Sequence, residues 1–149
     1  MNIRPYRDAD FDQLIRAWRA ASVVAHSFLT PEFLDQEVES IRDMYLPAAE
    51  AWVAEEDGMV LGFVALLGHE LGALFVHPNH WKRGIGKALL DKAVELRGHL
   101  SLEVFADNAI ARSFYERYGF VEDSTGKHAE TGHPVLRLTY DEARKKRLA

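Results

Sequence analysis

No cysteine occurs anywhere in the chain. That absence excludes a disulfide framework, a thiolate nucleophile and any zinc–sulfur site, and it is compatible with a reducing compartment. Long apolar runs are missing too: none approaches the roughly 18 residues of a membrane-spanning helix. The opening MNIRPYRDADF lacks the apolar core of a secretion signal, so a cytoplasmic location without membrane attachment is expected. Positive charge is in deficit, with 18 basic against 23 acidic residues and a net charge of −5. This disfavours a broad nucleic-acid footprint and favours cationic small molecules or basic protein segments as partners. Repeats, linkers and low-complexity segments are likewise absent. The 149 residues, 48% of them hydrophobic, suffice for one domain with a full core and are too few for two, so a single domain over 1–149 is expected. The clustered basic residues stand at Lys82, Arg83 and Lys87 and again at Arg144 to Arg147. The second cluster, within 141–149, reads as a solvated charged tail.

What is present alternates regularly. Asn2 to Arg7 reads as an edge strand, marked by Pro5. Asp8 and Asp10 are N-cap candidates for an amphipathic helix carrying Leu14, Ile15 and Trp18. Thr30 followed by Pro31 opens a second helix with Phe33, Leu34, Val38, Ile41 and Tyr45, and Pro47 is expected just past its end. Ala51 to Ala54 and Met59 to Leu67 form a hairpin about Glu56-Asp57-Gly58. Leu71 to Val76 is apolar on both faces, as a buried strand would be, and Pro78 closes it. From Ile85 the apolar residues recur at helical spacing through Leu96. Leu100 to Phe105 alternates as a strand, Asn108 to Tyr118 is helical and stopped by Gly119, and strands follow from Phe120 and Pro134. The order is β, α, α, β, β, β, α, β, α, β, β, which predicts a mixed α/β sheet.

The most informative stretch is LGALFVHPNHWKRGIGKALL, residues 71–90. Arg83-Gly84-Ile85-Gly86 stands where a helix begins, and there the first backbone N–H groups lack partners and the helix dipole is positive. Glycines allow close approach of a ligand, and Lys82, Arg83 and Lys87 add charge. That describes a pyrophosphate cradle, and equally a helix start that uses glycine in a turn. A Walker A loop is excluded because Ala88 follows Gly86-Lys87. A dinucleotide fingerprint fails because Leu89 stands where a small residue is needed.

Arg83-Gly84-Ile85-Gly86, after a strand ending Val76-His77-Pro78, resembles the acyl-CoA-binding signature of the GNAT superfamily of N-acetyltransferases. That signature is Gln/Arg-x-x-Gly-x-Gly/Ala, and Trp81 stands here in place of the Gln or Arg. A second segment, Asn108-x-x-Ala111-x-x-Phe114-Tyr115-x-x-x-Gly119-Phe120, is similar to that superfamily's other landmark, and the element order agrees over almost the whole chain. The resemblance implies a mixed, mostly antiparallel central sheet with splayed central strands and flanking helices. A bulge would separate the central strand from the strand beyond the next helix, and Gly72 is either its position or a glycine that only eases packing. The backbone of Leu74, Phe75 and Val76 would then pair with the pantetheine arm of acetyl-CoA as an added strand. Arg83, Gly84, Ile85, Gly86 and Lys87 would hold the pyrophosphate, and Asn108 would serve as a pantetheine partner or as a helix cap. The backbone character of these contacts implies that Trp81 does not abolish binding.

The activity implied is transfer of an acetyl group from acetyl-CoA to a primary amine, by direct attack in a ternary complex. The acceptor is a small molecule or a protein N-terminus or lysine. The alternative is a non-catalytic acyl-CoA-binding or regulatory domain. Tyr115 is the implied acid beside the thioester sulfur. Glu103, between Leu102 and Val104, is the candidate base, where apolar neighbours would desolvate it and raise its pKa; an exposed strand glutamate is the competing reading, with Glu70 and His77 in reserve. His26 and Phe28, with Trp18 and Ser27, are expected near the acceptor mouth. His69, His77 and His80 lack a metal-binding pattern, and no metal is expected. An oligomer is left open.

Overall fold

Asp57 and Gly58 both adopt positive φ, 52° and 79°, and so turn the chain tightly between two strands. These are β2 (Glu50–Glu56) and β3 (Met59–Leu67), and β3 runs on into β4 (Glu70–Val76). The computed structural model describes residues 1–148. β1 (Asn2–Pro5) pairs with β2 at the sheet edge, where its proline disturbs no inner ladder. Beyond β4 the sheet continues with β5 (His99–Phe105), β7 (Pro134–Asp141) and β6 (Val121–Lys127), in the order β1-β2-β3-β4-β5-β7-β6.

Helices cover both faces. α1 (Phe11–Ala25) and α2 (Pro31–Ser40) pack with Phe63, Val53 and Ala65 on one side. On the other, α4 (Ile85–Arg97) and α5 (Ala109–Tyr118) bury Leu89, Leu90, Ala93 and Tyr115 against Val64, Leu100 and Leu138 of the sheet. α2 opens as its sequence indicates, with the Thr30 hydroxyl accepting from Phe33 N–H at 3.1 Å and Pro31 in the first turn. Its far end departs from expectation. The chain continues through a π-helical turn, Ile41–Tyr45, into the short α3 (Leu46–Ala48), so Pro47 lies within the last turn.

Two further expectations are corrected. Asp10 does not cap α1 with its side chain; its carboxylate accepts from Arg4 at 2.8 Å and from Arg7 N–H at 2.8 Å, which ties β1 to the helix start. The charged terminus is not a free tail. Glu142–Leu148 form a helix, α6, with the Tyr140 hydroxyl donating to Glu142 and Lys145 Nζ donating to Tyr118 O at 3.3 Å. Residue 149 lies outside the described residues.

The functional feature of the sheet is its centre. The ladder between β3 and β4 runs Ala65↔Ala73 and then Leu66↔Leu71, so Gly72 is the extra, unmatched residue of a bulge. On the opposite side β4 joins β5 in parallel at one pair alone, Glu70↔Ser101. The two strands therefore meet at an apex near Glu70 and diverge towards Val76, leaving backbone groups of β4 outside any ladder.

Candidate active site

A cavity of about 480 Å³ occupies this divergence. The two-residue alternation of β5 and β7 sends Leu102, Val104, Leu136 and Leu138 into the core beneath α4 and α5. The alternate residues Glu103, Phe105, Val135 and Arg137 line the cavity on the side of α1 and α2. Tyr115 reaches the same cavity from α5. Its ring packs edge-on against Phe114 and Phe120 at 5.2 Å each, and burial pushes its phenol pKa well above the usual tyrosine value. A phenol held protonated in this way keeps its O–H as a hydrogen-bond donor.

Glu103 also faces the cavity, opposite Arg137 in the β5–β7 ladder, but it is exposed. The desolvation expected from Leu102 and Val104 is absent because those two neighbours point to the other face. Glu70 stands at the apex with its carboxylate engaged, accepting from Arg137 at 2.6 Å and from Ser101 at 2.8 Å. His77 is elsewhere. It borders a separate hollow with Gln13, Arg16 and Asn79, and its Nδ1 accepts from Asn79 N–H.

At the mouth, Asn108 caps α5 by accepting from Ala111 N–H at 3.1 Å through Oδ1. Its Nδ2 lies 3.1 Å from His26 Nε2. The amide nitrogen can only donate, so Nε2 accepts and His26 is the neutral Nδ1–H tautomer. Burial, reinforced by nearby His128, holds the His26 pKa below the usual histidine value. Phe28 does not reach the cavity wall. It stands behind it, stacked on His133 at 4.0 Å and edge-on to Phe105 at 5.1 Å, so that aromatic rings join the α1–α2 loop to the β6–β7 loop. Trp18 lines the cavity and Ser27 does not. Tyr45, Glu37, His128 and Arg137 also line the cavity, and the sequence had suggested a site role for none of them. Arg137 alone carried a usable signal, since it lies between Leu136 and Leu138 on the face opposite the core.

Beyond Val76, at the open end of the cleft, α4 begins with Gly84 in the left-handed region (φ 79°) and no side-chain cap. Lys82 is left-handed as well, at φ 65°. Alternating hands of this kind turn successive N–H groups towards one concavity, and the first-turn amides of Ile85, Gly86 and Lys87 have no intrahelical acceptor. A Cβ at Gly86 would lie 3.5 Å from Phe114, an ordinary contact, so packing against α5 does not itself require glycine there. The charges are less free than the sequence implied. Arg83 makes a two-pronged pair with Glu56 at 2.8 and 2.9 Å, and Lys87 pairs with Asp91 at 2.8 Å. The missing Gln or Arg is explained by what replaces it: Trp81 Nε1 donates to Val76 O at 2.7 Å and pins the loop to the end of β4.

Unpaired amides at a helix start, a strand edge without a partner and a cavity holding a protonated phenol fit an extended thioester with a diphosphate at one end. A family model described as "Acetyltransferase (GNAT) domain" matches residues 47–122.

The chain belongs to the GNAT acetyltransferase family.

This acetyltransferase is 37% identical to the peptidyl-lysine N-acetyltransferase YiaC of Escherichia coli, over 79% of this chain and 82% of that one. It is 34% identical to the peptidyl-lysine N-acetyltransferase YjaB of Salmonella typhimurium, over 94% and 98% respectively. The solution structure of apo YjaB from Escherichia coli superposes with a TM-score of 0.82, at 28% identity, covering 93% of this chain and 96% of that one. The activity is acetyl-CoA-dependent N-acetyl transfer, with acetyl-CoA as cosubstrate. Among the described residues no group of histidine and carboxylate side chains is placed to hold a metal ion.

Proposed function

We propose that this acetyltransferase modifies the ε-amino group of lysine in peptides or proteins, by direct attack of the amine within a ternary complex. The observation that carries the reading is one cavity lined by Tyr115, by Glu70 at the apex and by Glu37 and Glu103. An acceptor side chain enters there against a lining of acidic character. Of Glu37, Glu70 and Glu103, only Glu70 is held by a cation among the described residues, and that cation is Arg137. The two relatives named as peptidyl-lysine N-acetyltransferases support the same acceptor class and argue against a non-catalytic binding domain.

The cosubstrate supplies the activated acetyl group. The amides of the first turn of α4, from Gly84 to Lys87, receive its diphosphate, and the open edge of Leu74, Phe75 and Val76 receives its amide-bearing arm. A lysine ammonium has a pKa near 10.4, so removing its proton at pH 7 costs about 4.6 kcal/mol. Glu103, facing the cavity, takes that proton directly or through water. The amine nitrogen bonds to the acyl carbon, the carbon–sulfur bond breaks, and the departing thiolate takes the Tyr115 proton, which solvent then restores.

The test is a panel of acceptors assayed by thiol release and mass spectrometry: lysine-containing peptides, free lysine, polyamines, aminoglycosides and peptides with a free N-terminus alone. Lysine peptides are expected to give the highest kcat/KM, with acetylation on the side chain. Turnover confined to small amines or to N-termini overturns the acceptor assignment.

A further inference from the structure

Tyr45 ends the π-helical turn, Ile41–Tyr45, that joins α2 to α3. Such turns are uncommon and recur at functional sites because they re-aim a side chain that a regular helix would point elsewhere. Here the redirected ring reaches the central sheet. A Cβ at Gly72 would coincide with the Tyr45 hydroxyl, so the bulge residue must be glycine for the ring to seat. The hydroxyl is buried, and among the described residues it has no hydrogen-bond partner; no other buried side-chain polar atom there is left unpaired. Tyr45 and Gly72 both line the cavity that Tyr115, Glu70 and Glu103 share.

We infer that Tyr45 is a catalytic residue of this acetyltransferase, its hydroxyl donating a hydrogen bond to the acyl carbonyl oxygen at the apex of the β4/β5 cleft. The inference rests on the acetyl-CoA reading of that cleft. Three observations fix the role. β4 and β5 pair only at Glu70↔Ser101, so a ligand arm entering at the open end near Val76 brings its tip to Gly72. The hydroxyl is a donor and not a base: burial and the nearby Glu70 carboxylate push its pKa up to about 12. The bulge also leaves the peptide unit at Gly72 out of the ladder. Tyr45 O–H and that backbone therefore flank one point from which an oxygen can be held while charge develops on it. Tyr115 arrives from α5 on the opposite face and is left to the sulfur. The unpaired hydroxyl destabilises the free protein and is satisfied when an acyl oxygen is present.

The variant Tyr45→Phe keeps the ring and removes the donor. Its melting temperature is expected to equal or exceed that of the wild type, and its affinity for CoA to be unchanged. Acetyl-CoA affinity, measured by calorimetry, falls several-fold, and kcat falls about 100-fold, as for loss of one oxyanion donor. The carbonyl stretch of bound ¹³C-labelled acetyl-CoA gives a readout without acceptor: it shifts to lower frequency in the wild type and less in Tyr45→Phe. Gly72→Ala, which displaces the hydroxyl, should reproduce the loss of kcat. A kcat within threefold of wild type, or an identical carbonyl band, overturns the role of Tyr45. So does a fall in melting temperature together with CoA affinity, which marks a structural hydroxyl. A wild type that binds no acetyl-CoA overturns the reading of the cleft as well.

Discussion

At the scale of single residues, function here depends on which face of a strand a side chain occupies. Glu103 shows the limit of a linear reading. Flanked by Leu102 and Val104, it invited an assignment as a desolvated carboxylate, yet strand alternation sends those neighbours into the core and leaves Glu103 exposed at the cavity. Trp81 shows another. Its substitution for a polar residue looked neutral for binding, whereas its indole N–H holds Val76 O. His26 gives a prediction that can be signed. Burial lowers its pKa below the ordinary 6.5, so the folded state favours the neutral ring. The resulting stabilisation is complete above the unfolded-state value and is lost as pH falls through the depressed folded-state value. The groups around it are Asn108, Phe28, Phe105 and His128, and a charged His128 reinforces the effect. Melting temperature should therefore fall from pH 7 to pH 5, and His26→Asn should flatten that slope. An unchanged slope in the variant would place the titration on another group.

At the scale of elements, most of the design was legible. The α2 cap, the Asp57-Gly58 hairpin and the end of β4 before Pro78 are local features, and local chemistry is written in adjacent residues. The π-turn was not legible, because Ile41 and Tyr45 satisfy a helical pattern as well as a π-helical one. The start of α4 offers a comparison between its two glycines. Gly84 needs its left-handed φ, so Gly84→Ala should cost about 1–2 kcal/mol in stability. Gly86 has helical backbone, and a Cβ there meets Phe114 at ordinary contact distance. Gly86→Ala should melt as the wild type does yet bind acetyl-CoA at least several-fold more weakly, because the added methyl stands where the ligand approaches the amides. If Gly86→Ala lost stability and kept its affinity, the cradle would be misplaced.

At the scale of the whole molecule, the sheet order and the opening between β4 and β5 arise from long-range pairing. The residues of β4 and β5 do not encode that opening locally, and only the family resemblance implied it. The same holds for α6, where Lys145, in a run of basic residues read as a solvated tail, lies over the rings of Tyr118 and Tyr140 while staying exposed. What the full arrangement achieves is convergence. On the proposed reading, helices on one face present the acceptor mouth, helices on the other present a diphosphate cradle and Tyr115, and the parted strands let the two meet. The most direct test of that account is the pH–rate profile of Tyr115→Phe with a lysine peptide, alongside calorimetry with acetyl-CoA. The account predicts a kcat at least about 100-fold below wild type at every pH below about 9, with acetyl-CoA affinity essentially unchanged. Full activity in Tyr115→Phe would contradict it.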